Sequence, residues 1–173
     1  MKQNTYVDIL IDQIKRALWE VRNVIDCIPE ELWKKEYCQM PCWKNIYHML
    51  HSLDLWLINP QDENYQEPDI HEKDLNNLDV ISKKVLSRDE IIDYFNRIEQ
   101  KINDYLLTIT DEQLLKYPDG CEYTRFTLII GQMRHLHSHM GILMGFIIDD
   151  TGMWPRVLGL QHPFPKGEYD KYF

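Results

Sequence analysis

Apolar residues recur every three or four positions through much of the chain, which is the period of an amphipathic helix. The first such run follows Asn4 or Thr5, either of which can cap a helix, and ends near Cys27, before Pro29. Its apolar stripe consists of Tyr6, Ile9, Leu10, Ile14, Ala17, Leu18, Val21, Val24 and Ile25. We predict a first long helix here, followed by a short helical turn over 29–33.

A second helical period begins near residue 42, after a predicted loop over 38–43, and ends at Asn59-Pro60. Its apolar positions are Trp43, Ile46, Tyr47, Leu50, Leu53 and Leu57. Residues 59–86 then hold prolines, asparagines and many charges without a sustained period. We predict a long surface loop there, and loops of this length in compact domains often carry function.

Two capping-box sequences mark the next helices. Ser87 to Glu90 precedes a third apolar run, and Thr110 to Gln113 opens a short helix. The last long helix is predicted from about Tyr123 to Asp149. Because it is apolar nearly all round, we expect it at the centre of the core.

These elements predict an all-α fold, a four-helix bundle with a long connection between its second and third helices. No alternation typical of strands is evident. The 173 residues suit a single domain over 1–173. Its core is expected at about 5–150, with a C-terminal tail, 151–173, packed on the bundle.

The net charge limits the classes of partner that we expect the chain to bind. The chain carries 28 acidic residues against 19 Lys and Arg, a formal net charge of −9. Such a surface repels phosphate backbones and anionic membranes, so we expect neither nucleic acid nor membrane as a partner. No apolar run is long enough for a transmembrane helix, and Asp8 and Asp12 interrupt any signal-peptide core. We expect a cytoplasmic protein with reduced cysteines.

The histidines are the candidate functional residues of this sequence. His135 and His139 are about 40° apart on one helix face and one turn apart, so two imidazoles can aim at one point. His137 faces the opposite way, whereas His48 and His51 share a face of the second helix. A third imidazole from that helix would complete a site for a divalent transition metal. Three protein ligands leave coordination positions open, which is typical of catalytic sites.

The alternative is that these imidazoles are ordinary core or surface groups, although burying them mid-helix without partners is costly. Weaker candidates also have two interpretations each. Asp54 would orient a ligand imidazole or serve as a solvated carboxylate, and Arg134 would bind an anion or form a structural ion pair. The remaining candidates are Tyr47 and Trp43 as pocket or core residues, Cys38 and Cys42 as a thiolate pair or buried thiols, and His71 and His162 with no assigned role.

The residues from Trp43 to Leu57 resemble the second helix of the DinB-like (YfiT-like) superfamily, with its Tyr-His step followed six residues later by Asp54. The stretch from Arg134 to Gly141 resembles the fourth-helix signature, an Arg-His start with a second His four residues on and Gly two beyond. The resemblance covers roughly residues 5–150, including the long loop after the second helix.

The resemblance implies a four-helix bundle with three metal ligands at His48, His135 and His139. His51 remains the rival of His48. Two positions depart from the family pattern: Ser138 stands where a further His is frequent, and Ile142 where Gln is common. Residue 138 is not at a ligand position, so the three ligands are unaffected. Because Ile142 replaces the common Gln, a packing or orienting contact made by that Gln is missing.

The resemblance further implies a metal-dependent enzyme, with zinc or nickel expected and iron as an alternative. A thiol-dependent S-transferase using a low-molecular-weight thiol (bacillithiol, mycothiol or glutathione) on a small-molecule substrate is one expectation. A metal-dependent hydrolase is the chemical alternative. A non-catalytic ligand-binding or dimeric bundle with a vestigial site stays open, and a homodimer is expected in either case.

Overall fold

The computed structural model describes residues 5–173, and its first helix begins where the hydrophobic pattern predicts. Helix α1 spans Tyr6–Cys27. Thr5 caps it, because the Thr5 hydroxyl accepts from the Asp8 N–H at 3.1 Å while the Asp8 carboxylate accepts from the Thr5 N–H at 3.3 Å. This reciprocal pair is a capping box. The alternative cap, Asn4, lies outside the described residues.

The fold is all-α, since six helices hold 55% of the described residues. After α1 come α2 (Glu30–Trp33), β1 (Glu36–Tyr37), β2 (Met40–Pro41), α3 (Cys42–Trp56), α4 (Arg88–Thr108), α5 (Asp111–Leu114) and α6 (Arg125–Thr151). Both predicted capping boxes are confirmed, at the starts of α4 and α5. Within residues 5–173, none of the helices combines the length and apolar character that crossing a lipid bilayer requires.

The four long helices share one hydrophobic core. Helix α1 packs against α4 and α6, and α3 packs against the same two helices. Apolar side chains from all four meet in the interior, among them Leu18, Val21, Ile46, Leu50, Phe95, Ile98, Ile129 and Leu136. The most extensive of these contacts joins α3 to α6, the two helices that carry the candidate histidines.

The long connection between α3 and α4 is confirmed. Residues 57–87, all of them described, contain no helix or strand. The segment nonetheless packs on the helices, because Leu75 and Leu86 are buried in the shared core. The loop therefore has a defined path over α3.

A small hairpin replaces the loop expected over 38–43. Strands β1 and β2 are antiparallel, with Tyr37 paired to Met40. Its two-residue turn, Cys38-Gln39, has φ of 51° and 67°. Positive φ at both positions is the type I′ geometry that matches the strand twist. The loop predicted over 38–43 is therefore wrong at Met40–Pro41, and the hairpin was missed because its turn lacks the Asn-Gly or Asp-Gly that signals one.

Helix α6 is buried on one face, which corrects the expectation of a helix buried all round. Leu128, Ile129, Leu136, Met140, Leu143 and Ile147 are buried. Phe126, Ile130 and Ile142, in contrast, are 38%, 47% and 44% exposed. The reason is that α6 packs against α1 and α3 on one side only, which leaves an apolar outer face.

The C-terminal tail lies against α1, and a buried amide of that helix is one of its anchors. Asn23 is fully buried, and its Nδ2 donates to the carbonyls of Arg156 and Lys171 at 3.0 and 3.1 Å. Its Oδ1 accepts from the Tyr169 hydroxyl at 3.2 Å. Arg16 and Glu20 of α1 bond the tail as well, so Asn23 is a fully buried member of a set of polar anchors.

Replacing Asn23 with alanine is expected to lower the free energy of unfolding by about 2 kcal/mol, because buried groups of the tail lose their partner. Urea denaturation measures the change, and limited proteolysis should show faster cleavage within the tail. Asn96→Ala, at an exposed position of α4, is the matched control and should change stability by less than about 0.5 kcal/mol. Equal effects of the two variants would contradict this docking role.

Candidate metal centre

Three histidines meet where α3 crosses α6. Helix α3 carries His48, and α6 carries His135 and His139 one turn apart. One ring nitrogen from each lies within 4.8 Å of the other two. The centroids of the rings are 4.5 Å apart for the α6 pair, and 5.4 and 4.8 Å from His48. The structure thus brings His48, rather than His51, beside the α6 pair.

The α6 pair has the spacing of two ligands on one ion. The Nε2 atoms of His135 and His139 are 3.1 Å apart. Two nitrogens each about 2.1 Å from a tetrahedral ion lie roughly 3.4 Å apart, so little movement is needed to share one. Without an ion, one ring must carry its proton on Nε2 to avoid opposing two lone pairs. The donor set therefore fits a divalent transition metal.

His48 is oriented by the long loop. Its Nδ1 lies 2.7 Å from the carbonyl oxygen of Asn76. Because a carbonyl only accepts, Nδ1 of His48 must carry the proton and donate it. The lone pair of the neutral ring is then on Nε2, the nitrogen left free for a metal. A backbone carbonyl is a common orienting partner of metal-binding histidines.

Burial keeps the α6 pair neutral. Burial, reinforced by the neighbouring imidazoles, lowers the pKa of His139 to about 4. Burial and His48 also lower the pKa of His135. Neutral imidazole is the form that binds metal. Among residues 5–173, no hydrogen-bond partner meets the buried Nδ1 atoms of His135 and His139, so packing along α6 sets their orientation.

The depressed pKa of His139 predicts an acid-sensitive fold for the metal-free protein. Between about pH 6.5, the ordinary value, and about pH 4, the unfolded chain binds more protons at this position than the folded chain does. Stability contributed by neutral His139 is therefore present above pH 6.5 and lost as the pH falls through this window. Urea titrations in chelator at pH 7 and pH 5 should show a smaller pH dependence for His139→Ala than for the parent protein. An equal dependence would contradict this assignment.

Asp54 does not orient a ligand imidazole, which corrects one of the two roles considered for it. Its Oδ2 accepts from the hydroxyls of Tyr94 at 2.9 Å and Tyr65 at 3.4 Å. Its Oδ1 lies 2.5 Å from Nζ of Lys101. The carboxylate joins α3 to α4 and the long loop, and the orienting contact to His48 comes from Asn76 instead.

Other candidates lie apart from the three histidines. Trp43 and Tyr47 are buried in the core. Arg134 is exposed and forms no ion pair within the described chain, so the structural salt bridge considered for it is absent there. Cys42 is buried, which raises its thiol pKa to about 12, whereas Cys38 is exposed. These two cysteines form no metal-binding group within residues 5–173.

A second polar cluster was missed from the sequence. His51 contacts Glu67 of the loop, and His71 lies beside the same carboxylate. No role had been assigned to His71. Glu67 and His71 are four residues apart in the sequence. This spacing predicts a shared face only within a helix, and no helical period surrounds them.

Lys44 was also missed. It lies one turn before His48 on α3, is fully buried, and donates through Nζ to the carbonyl of Val80. Burial lowers the pKa of its amine, while Asp74 opposes that shift. A lysine on a helix is ordinarily taken for a solvated residue, so only the folded loop shows that this amine is covered.

Comparisons with protein-family models, curated proteins and solved structures find no match to this chain. The DinB-like resemblance thus depends on the two helix motifs and on the order of the elements, with the long loop after the second helix.

Proposed function

We propose that this protein is a metal-dependent enzyme whose ion is held by His48, His135 and His139. The observation that carries the proposal is the convergence of three imidazole nitrogens within 4.8 Å, with His48 oriented by the Asn76 carbonyl. Two helices and the long loop cooperate to form this arrangement. A chance grouping of histidines would not require a loop carbonyl that orients one of the rings.

The proposed fold is a DinB-like four-helix bundle built from α1, α3, α4 and α6. The ring of contacts among these helices and the uninterrupted loop over 57–87 support it. The two sequence motifs lie on α3 and α6, the helices whose histidines face each other. The apolar outer face of α6, with Phe126 and Ile130, supports a homodimer as the assembled form.

The three histidines would leave coordination positions of the ion open for a further ligand. All three are partly exposed, so water or a small molecule can reach the site. A divalent ion, with zinc or nickel preferred and iron an alternative, would acidify a bound thiol or water. The chain itself contributes two imidazoles that burial keeps neutral and a His48 ring that the long loop orients.

The reaction we propose is S-transfer from a low-molecular-weight thiol to a small electrophile. The DinB-like motifs support the thiol as cosubstrate. A cytoplasmic location is proposed with it, because small thiols and four free cysteines both suit a reducing compartment. In the net reaction a carbon–sulfur bond forms, the leaving group departs with its electron pair, and the thiol proton passes to solvent.

The test combines metal analysis with a thiol-consumption assay. The zinc- or nickel-loaded protein would be incubated with bacillithiol, mycothiol or glutathione and 1-chloro-2,4-dinitrobenzene, and chloride and thioether measured. We expect one chloride released for each thiol consumed, with activity lost in His135→Ala and retained in His137→Ala. Hydrolysis of an ester without any thiol would favour the hydrolase, and loaded protein inert in both assays would contradict an enzyme of these classes.

A further inference from the structure

A second group of potential ligands lies one turn further along α3. His51, one turn beyond His48, meets Glu67 and His71 from the long loop, and one ligand atom from each lies within 4.8 Å of the other two. His51 Nε2 is 2.6 Å from Glu67 Oε2, and His71 Nδ1 is 3.8 Å from the same oxygen. None of these residues belongs to the first site.

We propose that His51, Glu67 and His71 form a second binding site for a divalent transition metal, zinc or iron(II). Two imidazoles and one carboxylate are a common donor set for both ions, and they leave coordination positions open. The two imidazole side chains are only 3% and 14% exposed, whereas the carboxylate is 46% exposed. The site thus has a sheltered side made by the histidines and an open side at Glu67.

The surroundings of His51 suit a ligand. Asn76 Nδ2 lies 3.3 Å from His51 Nδ1, so this amide is the second contact of the ring. With Nε2 on a metal, His51 carries its proton on Nδ1 and donates it to the Oδ1 of Asn76, which requires the amide to rotate by half a turn. The amide therefore serves either protonation pattern of the ring.

His71 has a hydrogen-bond partner of its own in the metal-free protein. The Tyr47 hydroxyl is 2.8 Å from His71 Nδ1 and donates to it when no ion is present. Burial raises the pKa of Tyr47, so the phenol stays protonated and does not compete as an anionic ligand. Burial also lowers the pKa of His71, against the opposing charge of Glu67. Because the Tyr47 oxygen lies along the lone pair of Nδ1, metal binding there requires this hydrogen bond to break and the His71 ring to turn away from the hydroxyl.

An approach route lies beside the carboxylate. Glu67 lines a cavity of about 420 Å³ together with Asp54, Tyr65, Tyr94 and Lys101. Carboxylate and hydroxyl oxygens line much of this cavity, so it is a polar route by which a hydrated cation would reach Glu67. The open coordination positions of the second ion would face polar surroundings.

Occupancy of this site would fasten the loop to α3. Two of its three ligands come from a segment of about thirty residues without regular secondary structure. Asn76 contacts His51 through its side chain and His48 through its carbonyl. A metal at the second site would therefore also hold the residue that orients His48.

The test is zinc content by plasma mass spectrometry after equilibrium dialysis at micromolar free zinc. We expect about two ions per chain in the parent protein, about one in His135→Ala/His139→Ala, and about one in His51→Ala/His71→Ala. His137→Ala is the control and should keep both. If the parent protein binds one ion and His51→Ala/His71→Ala retains it, the second site is overturned. If the parent protein binds one ion and only His51→Ala/His71→Ala loses it, the three-histidine site is overturned instead.

A second variant guards against misfolding. Glu67→Gln removes the carboxylate from an exposed position, and it should weaken zinc binding by roughly 10-fold or more in the His135→Ala/His139→Ala background. In that background zinc should slow proteolysis within 57–87, and Glu67→Gln should abolish the protection. Unchanged affinity and equal proteolysis with and without zinc would show a hydrogen-bonded cluster only.

Discussion

His139→Ala is expected to weaken metal binding at the three-histidine site at least about 100-fold. The variant removes one of three protein ligands, and the Nε2 of His135, 3.1 Å away, loses its partner on the ion. Loss of a mere orienting group already costs about 10–100-fold in affinity, so loss of a ligand should exceed that. Competition titration with a chromophoric chelator measures the affinity. Cobalt(II) substitution would report the lost nitrogen as a change in the visible spectrum.

His137→Ala is the matched control for this measurement. His137 lies on the same helix between the two ligands, is exposed, and bonds through Nδ1 to the Met133 carbonyl of its own helix. Its removal should leave the affinity within about 2-fold of the parent protein. If both variants bind the metal as tightly as the parent protein does, His139 is not a ligand.

The positions on α6 were predictable because helix geometry alone fixes them. A spacing of four brings His135 and His139 to one face whatever the rest of the chain does. The choice between His48 and His51 needed more, since both share a face of α3. The family motif favoured His48, and the structure puts that ring 4.8 Å from His139, centroid to centroid.

The loop's contribution was beyond prediction from the sequence. Asn76, Glu67 and His71 reach α3 through a segment without any period, so nothing in the spacing tells which way their side chains point. Buried Lys44 was missed for a related reason, because the loop supplies both its cover and its acceptor, the Val80 carbonyl. Helical periods therefore predicted the frame, and tertiary contacts of an irregular segment determine the lining of the site.

The same limit applies to the hairpin and to the outer face of α6. The turn at Cys38-Gln39 takes positive φ at residues that seldom adopt it, and its flanking strands are two residues each. The run of apolar residues on α6 correctly predicted a helix. It gave no indication that Phe126 and Ile130 would be left outside. Hydrophobicity reports a preference for burial, whereas the number of neighbouring helices determines how much burial occurs.

Trp33→Ala is expected to lower the free energy of unfolding by about 3–5 kcal/mol. The Trp33 side chain is 1% exposed, and its Nε1 donates to the Leu86 carbonyl at 2.8 Å. The guanidinium of Arg88 stacks over its ring, 4.5 Å from the centroid. Arg88 in turn donates to the carbonyls of Ile25 and Ile28 at the end of α1. The indole thus joins α2, the end of the long loop and the start of α4.

Two further variants separate the parts of this effect in urea denaturation. Trp33→Phe keeps an aromatic ring but leaves the buried Leu86 carbonyl without its donor, which should cost about 1–3 kcal/mol. Trp154→Ala removes an indole that is 58% exposed and should cost less than about 0.5 kcal/mol. Because small domains have only about 5–15 kcal/mol of stability, Trp33→Ala should bring the chain close to unfolding at room temperature. Similar midpoints for Trp33→Ala and Trp154→Ala would mean that Trp33 does not anchor the loop.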